Sequence, residues 1–220
     1  NWGNTVNEGS IIIDNSVVSG SSSSSSGGIR GSGNLITEQR KLGVFTKLAI
    51  SVVADVRIIS GKRYHMSIEG DDNIVKIISN DIINKQLTIT SRKSYSAQQP
   101  LKINIEVPFL TGIKQSGTGS IFFDNISRDS LAIKMSGSGT MSGKGQVGTL
   151  NARISGSGTL NVQQLAAHKV IIKVSGVGEA NVQALDKLDV DVQGMGNITY
   201  SGNPKSVNKS ITGLGKVRPR

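Results

Sequence analysis

From Phe109 to the end of the chain, apolar and polar residues alternate in blocks that restart about every 19 residues, and a Gly-x-Gly unit marks each restart. The units are Gly117-Thr118-Gly119, Gly137-Ser138-Gly139, Gly156-Ser157-Gly158, Gly176-Val177-Gly178, Gly194-Met195-Gly196 and Gly213-Leu214-Gly215, with steps of 20, 19, 20, 18 and 19 residues between first glycines. Aligned on the first glycine, the position six before it holds Leu131, Leu150, Val170 and Leu188. Four before stand Ile133, Ala152, Ile172 and Val190, and two before stand Met135, Ile154, Val174 and Val192. Four after the glycine come Ile121, Met141, Leu160, Ala180, Ile198 and Val217. The positions between are mostly polar, so one half-buried strand leads into each glycine turn and another leaves it. Self-similarity at this period predicts an all-β solenoid over residues 111–220, in which each coil buries its apolar face against its neighbours.

Stacking explains the glycines. A turn with another coil about 4.8 Å above it has no room for a side chain and often requires positive φ. The first coil carries Thr111 and Gln115, and the last Lys209, where the pattern expects apolar residues, as terminal coils do. A β-sandwich is the competing fold, since it too shows short alternating strands.

Upstream, period-two alternation predicts a strand-rich region over residues 29–110, irregular in spacing: Leu35-Ile36-Thr37, Phe45 to Ile50, Val52 to Ile59, Tyr64 to Ile68, Leu87 to Thr90 and Ile103 to Val107. Asp71 to Ser79 is the one helical candidate, with Asp71 or Asp72 placed to cap a turn before Ile74, Ile77 and Ile78. Residues 1–28 contain Ser21 to Ser26 and Gly27-Gly28, the composition of a flexible tether. The alternative is an edge strand over Ile11 to Val18.

Composition narrows the class. Of 220 residues, 27 are glycine and only 4% are aromatic, which suits repetitive strands and tight turns. Without cysteine there is neither a disulfide framework nor a thiolate metal site. No apolar run reaches the roughly 18 residues of a spanning helix, and a start at Asn1 rather than Met points to removal of a targeting segment. The net charge of +10 is uneven: residues 111–220 hold 13 basic and 6 acidic side chains, residues 1–110 hold 12 and 9. A basic surface attracts nucleic acid, anionic headgroups or acidic polysaccharide. The few aromatics seldom stand beside basic clusters, which argues against a nucleic-acid stacking platform.

The run from Gly31-Ser32-Gly33-Asn34 through Glu106-Val107-Pro108, the repeated Ser-Gly-Ser-Gly-Thr at Ser136 and Ser155, and the ending Tyr200-Ser201-Gly202-Asn203-Pro204 together resemble the head GIN domain family of auto-transporter adhesins. The resemblance spans roughly Gly31 to the C-terminus. It implies a right-handed parallel β-helix and a secreted or cell-envelope protein, often a processed lipoprotein of Bacteroidetes-type bacteria. It supplies no catalytic residues. The Ser-rich start fits a mature segment lying after an acylated cysteine, which would make an N-terminal lipid anchor the only link to a membrane.

Candidate chemistry is sparse. His65 and His168 have no second ligand at i+2 to i+4. Asp71-Asp72 and the trio Asp186, Asp189 and Asp191 lack the nonapeptide pattern of calcium β-rolls and read as a solvated face or helix cap. The Gly-x-Gly units and Ser60-Gly61-Lys62-Arg63 match no nucleotide motif, and a serine repeated once per coil is not a nucleophile. No catalytic residue, metal or cofactor is therefore expected. The runner-up is a pectinase-like, polysaccharide-active β-helix enzyme, by analogy of fold. Asp189 and Asp191 face the same way, but their counterparts on the preceding coil are Ile171 and Lys173, so the second carboxylate layer is missing.

The sharper feature lies three residues before the first glycine, where Lys134, Arg153 and Lys173 stand on the outward face, with Asp191 next. In a parallel stack they form a column spaced by about 5 Å. Fanned, solvated side chains would explain such a column. So would a ligand-binding stripe for acidic polysaccharide, lipid headgroups or another anionic envelope polymer. The expected role is a non-catalytic, surface-displayed binding module. Unpaired strand edges at the ends of the stack would also allow homo-oligomers.

Overall fold

The computed structural model describes residues 28–220, so the tether assigned to the first 28 residues lies almost wholly outside the described residues. The chain is nearly all β. Short strands come first: β1 (Ile29–Arg30), β2 (Leu35–Lys41), β3 (Lys47–Ile50), β4 (Ala54–Ser60) and β5 (His65–Asp71). One helical turn, α1 (Asp72–Val75), leads to β6 (Ile78–Ile83), β7 (Gln86–Ser91), β8 (Tyr95–Ser96), β9 (Leu101–Val107) and β10 (Gly112–Gln115). Four long strands follow, β11 (Gly119–Met135), β12 (Thr140–Ile154), β13 (Thr159–Val174) and β14 (Glu179–Gly194). The series ends with β15 (Asn197–Ser201), β16 (Ser206–Gly213) and β17 (Lys216–Pro219).

Parallel pairing builds the expected solenoid. Each long strand supplies both walls of the stack and bends at a corner where its register shifts, between Phe123 and Ile126 in β11 and between Ser142 and Lys144 in β12. The first wall runs β7, β3, β10, the C-terminal halves of β11 to β14, then β16, all parallel. The second wall runs β9, β4, the N-terminal halves of β11 to β14, β15 and β17. Parallel stacking thus reaches back through β3, β4, β7 and β9, upstream of residue 111. Antiparallel strands close that end: β2 on β5, β5 on β9, and β6 on β7.

In-register stacking places like positions over like. One inward column reads Leu87, Leu48, Ile113, Ile133, Ala152, Ile172 and Val190, and another on the second wall reads Ile103, Val56, Ile121, Met141, Leu160, Ala180 and Ile198. All are buried in one continuous core. Each fully buried Val, Leu, Ile or Met side chain contributes about 1.5–3 kcal/mol relative to exposure.

Space, more than backbone dihedral, accounts for the turn glycines. A Cβ on Gly137 would be driven into the Gly117 carbonyl oxygen, and one on Gly156 into that of Gly137. Of the first glycines only Gly213 has positive φ, at 128°.

The helix expected over Asp71 to Ser79 is confined to Asp72–Val75, and Ile78 instead begins β6. A two-residue turn with Asn84 and Lys85 at φ 50° and 61° joins β6 to β7, so this hairpin draws Ile78 into a ladder with Ser91. Asp71 occupies the N-cap position without a side-chain capping bond. Its buried carboxylate accepts instead from the Gly33 N–H (2.9 Å) and the Gln98 N–H (2.8 Å), tying two connections to the end of β5.

Candidate functional site

Odd and even positions of the first wall face opposite ways, so the residues between the inward columns make an outer face. Register places Lys134 over Lys114, Arg153 over Lys134 and Lys173 over Arg153, with Asp191 and Ser210 completing the column. The three basic residues picked out in the sequence are thus brought together on successive rungs about 4.8 Å apart. Lys114 is a fourth member that the sequence reading missed. Its signal was present, since it too stands three residues before a repeat glycine, Gly117.

Beside this column runs a second outward one, Gly112, Ala132, Asn151, Ile171 and Asp189. Short side chains at Gly112 and Ala132 next to the long Lys114 and Lys134 leave the surface hollow. Two depressions of about 350 Å³ each result, one around Lys114 and Lys134 and one around Lys173 and Asp189, and they share Asn151 and Arg153. The cations therefore line a shallow groove along the stack.

The two ends of the groove differ electrostatically. Lys173 Nζ lies 3.6 Å from Asp191, and Lys187 Nζ lies 3.3 Å from Asp189. Asp189 also accepts from the Asn208 amide at 2.7 Å. That hydrogen bond, reinforced by Lys187 and the charge of Lys169, holds its carboxyl below the usual range. Among the described residues no carboxylate lies within 4.0 Å of Lys114, Lys134 or Arg153. Like charges directly opposite on neighbouring strands repel by roughly 0.2–1 kcal/mol per pair, and this half of the column leaves that repulsion uncompensated.

The remaining candidates separate. Asp186 pairs with His168 at 2.6 Å across one rung, so His168 has a carboxylate neighbour that local spacing concealed. Asp186, Asp189 and Asp191 thus each engage a different basic partner. Asp72 faces solvent and accepts from Ser32 (2.5 Å) and Asn34 (3.2 Å), which lowers its pKa. Glu106 is held low chiefly by Arg63, whose guanidinium lies 2.8 Å away. No group of three or more His, Cys, Asp or Glu side chains able to hold a metal ion occurs among the described residues. A larger hollow of about 680 Å³ beside Tyr95 and Gln98 lies at the closed end of the stack, and burial raises the Tyr95 phenol above its ordinary pKa.

Comparison with known proteins agrees with this architecture. The family model described as putative auto-transporter adhesin, head GIN domain, matches residues 44–204. Among solved structures, a putative adhesin from Bacteroides fragilis is 26% identical with a TM-score of 0.72, covering 88% of this chain and 100% of its own. A putative adhesin from Parabacteroides merdae is 19% identical with a TM-score of 0.61, covering 87% and 98%. A putative lipid binding protein from Parabacteroides distasonis is 21% identical with a TM-score of 0.58, covering 87% and 99%. Among curated proteins, none matches.

Proposed function

This chain belongs to the family described as putative auto-transporter adhesin, head GIN domain, and from that membership we propose that it is a non-catalytic binding module of the cell surface or secreted space, whose ligand is an acidic polysaccharide of the envelope. The observation that carries the ligand class is the in-register column of Lys114, Lys134, Arg153 and Lys173 along two adjoining depressions that share Asn151 and Arg153. A polymer with a regular series of carboxylates or sulfates meets evenly spaced cations, and each contact relieves the repulsion within the column. The groove is open and shallow, which suits a chain lying across it. Asp189 and Asp191, the carboxylates nearest the groove, are engaged by Lys187, Asn208 and Lys173, an arrangement that favours binding over acid–base turnover.

The test is a binding titration against polygalacturonate and a neutral glucan at two salt concentrations, read beside a reducing-end and unsaturated-product assay. Salt-sensitive binding to the acidic polymer without product is expected. K134E/R153E/K173E should weaken it by about tenfold or more. Unchanged binding in that variant rejects the groove, and product formation by the wild type rejects the non-catalytic reading.

A further inference from the structure

At the corner between the first and second walls, the middle residue of each Gly-x-Gly unit projects outward, and the units sit on one another. The Val177 N–H donates to the Gly156 carbonyl (3.3 Å), Met195 N–H to that of Gly176 (3.2 Å) and Leu214 N–H to that of Gly194 (3.0 Å). The projecting residues change character along this ridge: Thr118, Ser138 and Ser157 are polar, whereas Val177, Met195 and Leu214 are apolar. The last three are 54%, 52% and 77% exposed. Single exposed apolar side chains are ordinary on protein surfaces, but three on consecutive rungs, about 4.8 Å apart, make a contiguous strip. A Cβ on Gly176 or Gly194 would collide with the carbonyl of the rung beneath, so close backbone stacking holds these turns in place.

We infer that this strip is a shallow contact edge for an anionic lipid bilayer, a role separate from the groove. Val177, Met195 and Leu214 are exposed and line neither depression of the groove, so the strip presents protruding tips rather than a pocket. Its area also argues against a second copy of the chain: three side chains of this size present a few hundred square ångströms, against about 800 Å² per partner in a specific protein interface. A bilayer needs no matching shape and takes in protruding aliphatic side chains one at a time. Short insertions of this kind need a second attraction, and the net charge of +10 supplies it towards anionic headgroups. Flanking the ridge are Lys173 on the first wall and Lys216 and Arg218 on the second. The carboxylates on the same flanks are Asp191, which lies 3.6 Å from Lys173, and Glu179.

Flotation of the full chain with vesicles of phosphatidylcholine, alone or mixed with phosphatidylglycerol, tests this. Wild type should float with the mixed vesicles and much less with phosphatidylcholine alone. V177S/M195S/L214S should lower partitioning by about tenfold, with an unchanged circular dichroism spectrum because the tips lie outside the core. T118V/S138V/S157V, which lengthens the strip, should raise it severalfold. A wild type that stays unbound, equal flotation with both vesicle types, or a serine variant that floats like wild type would each overturn the inference. The serine variant is expected to keep its polysaccharide binding, so failure of the ridge and failure of the groove give different results.

Discussion

The closed end of the stack and its repetitive body solve the same packing problem in opposite ways. From Gly119 to Gly194 the body stacks mainly aliphatic side chains in columns, with Phe123 its one fully buried aromatic, and presses backbone turns directly on one another. The end formed by residues 29–110 breaks the period. It turns β2, β5 and β6 antiparallel, fills the space with Phe45 packed edge-on against Tyr64 at 5.6 Å, and ties its connections through Asp71. The outward column shows the same contrast, for Lys114, Lys134, Arg153 and Lys173 give way at this end to Ala49 and Thr88. Repetition arrays a surface, whereas broken repetition terminates one. An open parallel edge is a template for pairing with other chains, and at this end antiparallel β5 and β6 cover the parallel edges of β9 and β7.

The largest effect should come from emptying the closed end. Phe45 is fully buried, and truncation to alanine leaves a cavity that a short, cross-tied segment relaxes into poorly. Phe45→Ala is expected to cost about 3–5 kcal/mol in denaturant unfolding. Hydrogen exchange would sharpen the comparison. Protection should fall first in β2, β5 and β6 and last in β12 and β13, and uniform loss across the stack would mean the two regions are one cooperative unit.

What could be read beforehand follows the same division. The body was legible because one column position recurs with one residue class, so spacing alone gave the rungs, the inward residues and three of the four groove cations. Lys114 escaped although its coil was recognised, because Thr111 and Gln115 mark that coil as a departing terminal one and the cation column was drawn only through the coils that keep the consensus. At the closed end β2 to β5, β7 and β9 are legible as strands, β6 is not, and none of the pairing is. Ile77, Ile78, Ile82 and Ile83 follow neither period cleanly, and the turn at Asn84-Lys85 lacks the glycine that usually announces such a hairpin. The pairing of His168 with Asp186 and the sharing of Asp71 between Gly33 and Gln98 are contacts across rungs or connections, 18 to 38 residues apart, where local spacing carries no signal.

Gln115 marks the seam between the two regions and gives a smaller, opposite effect. It stacks between Ile50 and Met135 in an otherwise apolar column and is 3% exposed. Its amide donates to the Gly119 carbonyl at 3.2 Å, but its own carbonyl oxygen is buried without a partner. A buried acceptor left unpaired costs more than one modest hydrogen bond returns. Gln115→Met, which fits the column in volume, is therefore expected to stabilise the fold by about 1 kcal/mol, measured by the same denaturant midpoint. A loss of stability would mean that the bond to Gly119 outweighs the unpaired oxygen.

The smallest effect concerns acid sensitivity at the opposite end of the body. The carboxyl of Asp189 is held low first by the Asn208 amide and then by Lys187 and Lys169. A carboxylate whose folded pKa is depressed contributes stability that is fully present above its unfolded value, and that contribution disappears as pH falls through the folded value. Asn208→Ala removes the largest cause, so the Asp189 carboxyl should titrate at higher pH in the variant, and its contribution should begin to fail earlier on acidification. Carboxyl carbon chemical shifts followed through an acid titration would report this directly. An unchanged midpoint would assign the depression to the two lysines, making the paired end of the groove an extension of its cationic column rather than a separately hydrogen-bonded terminus.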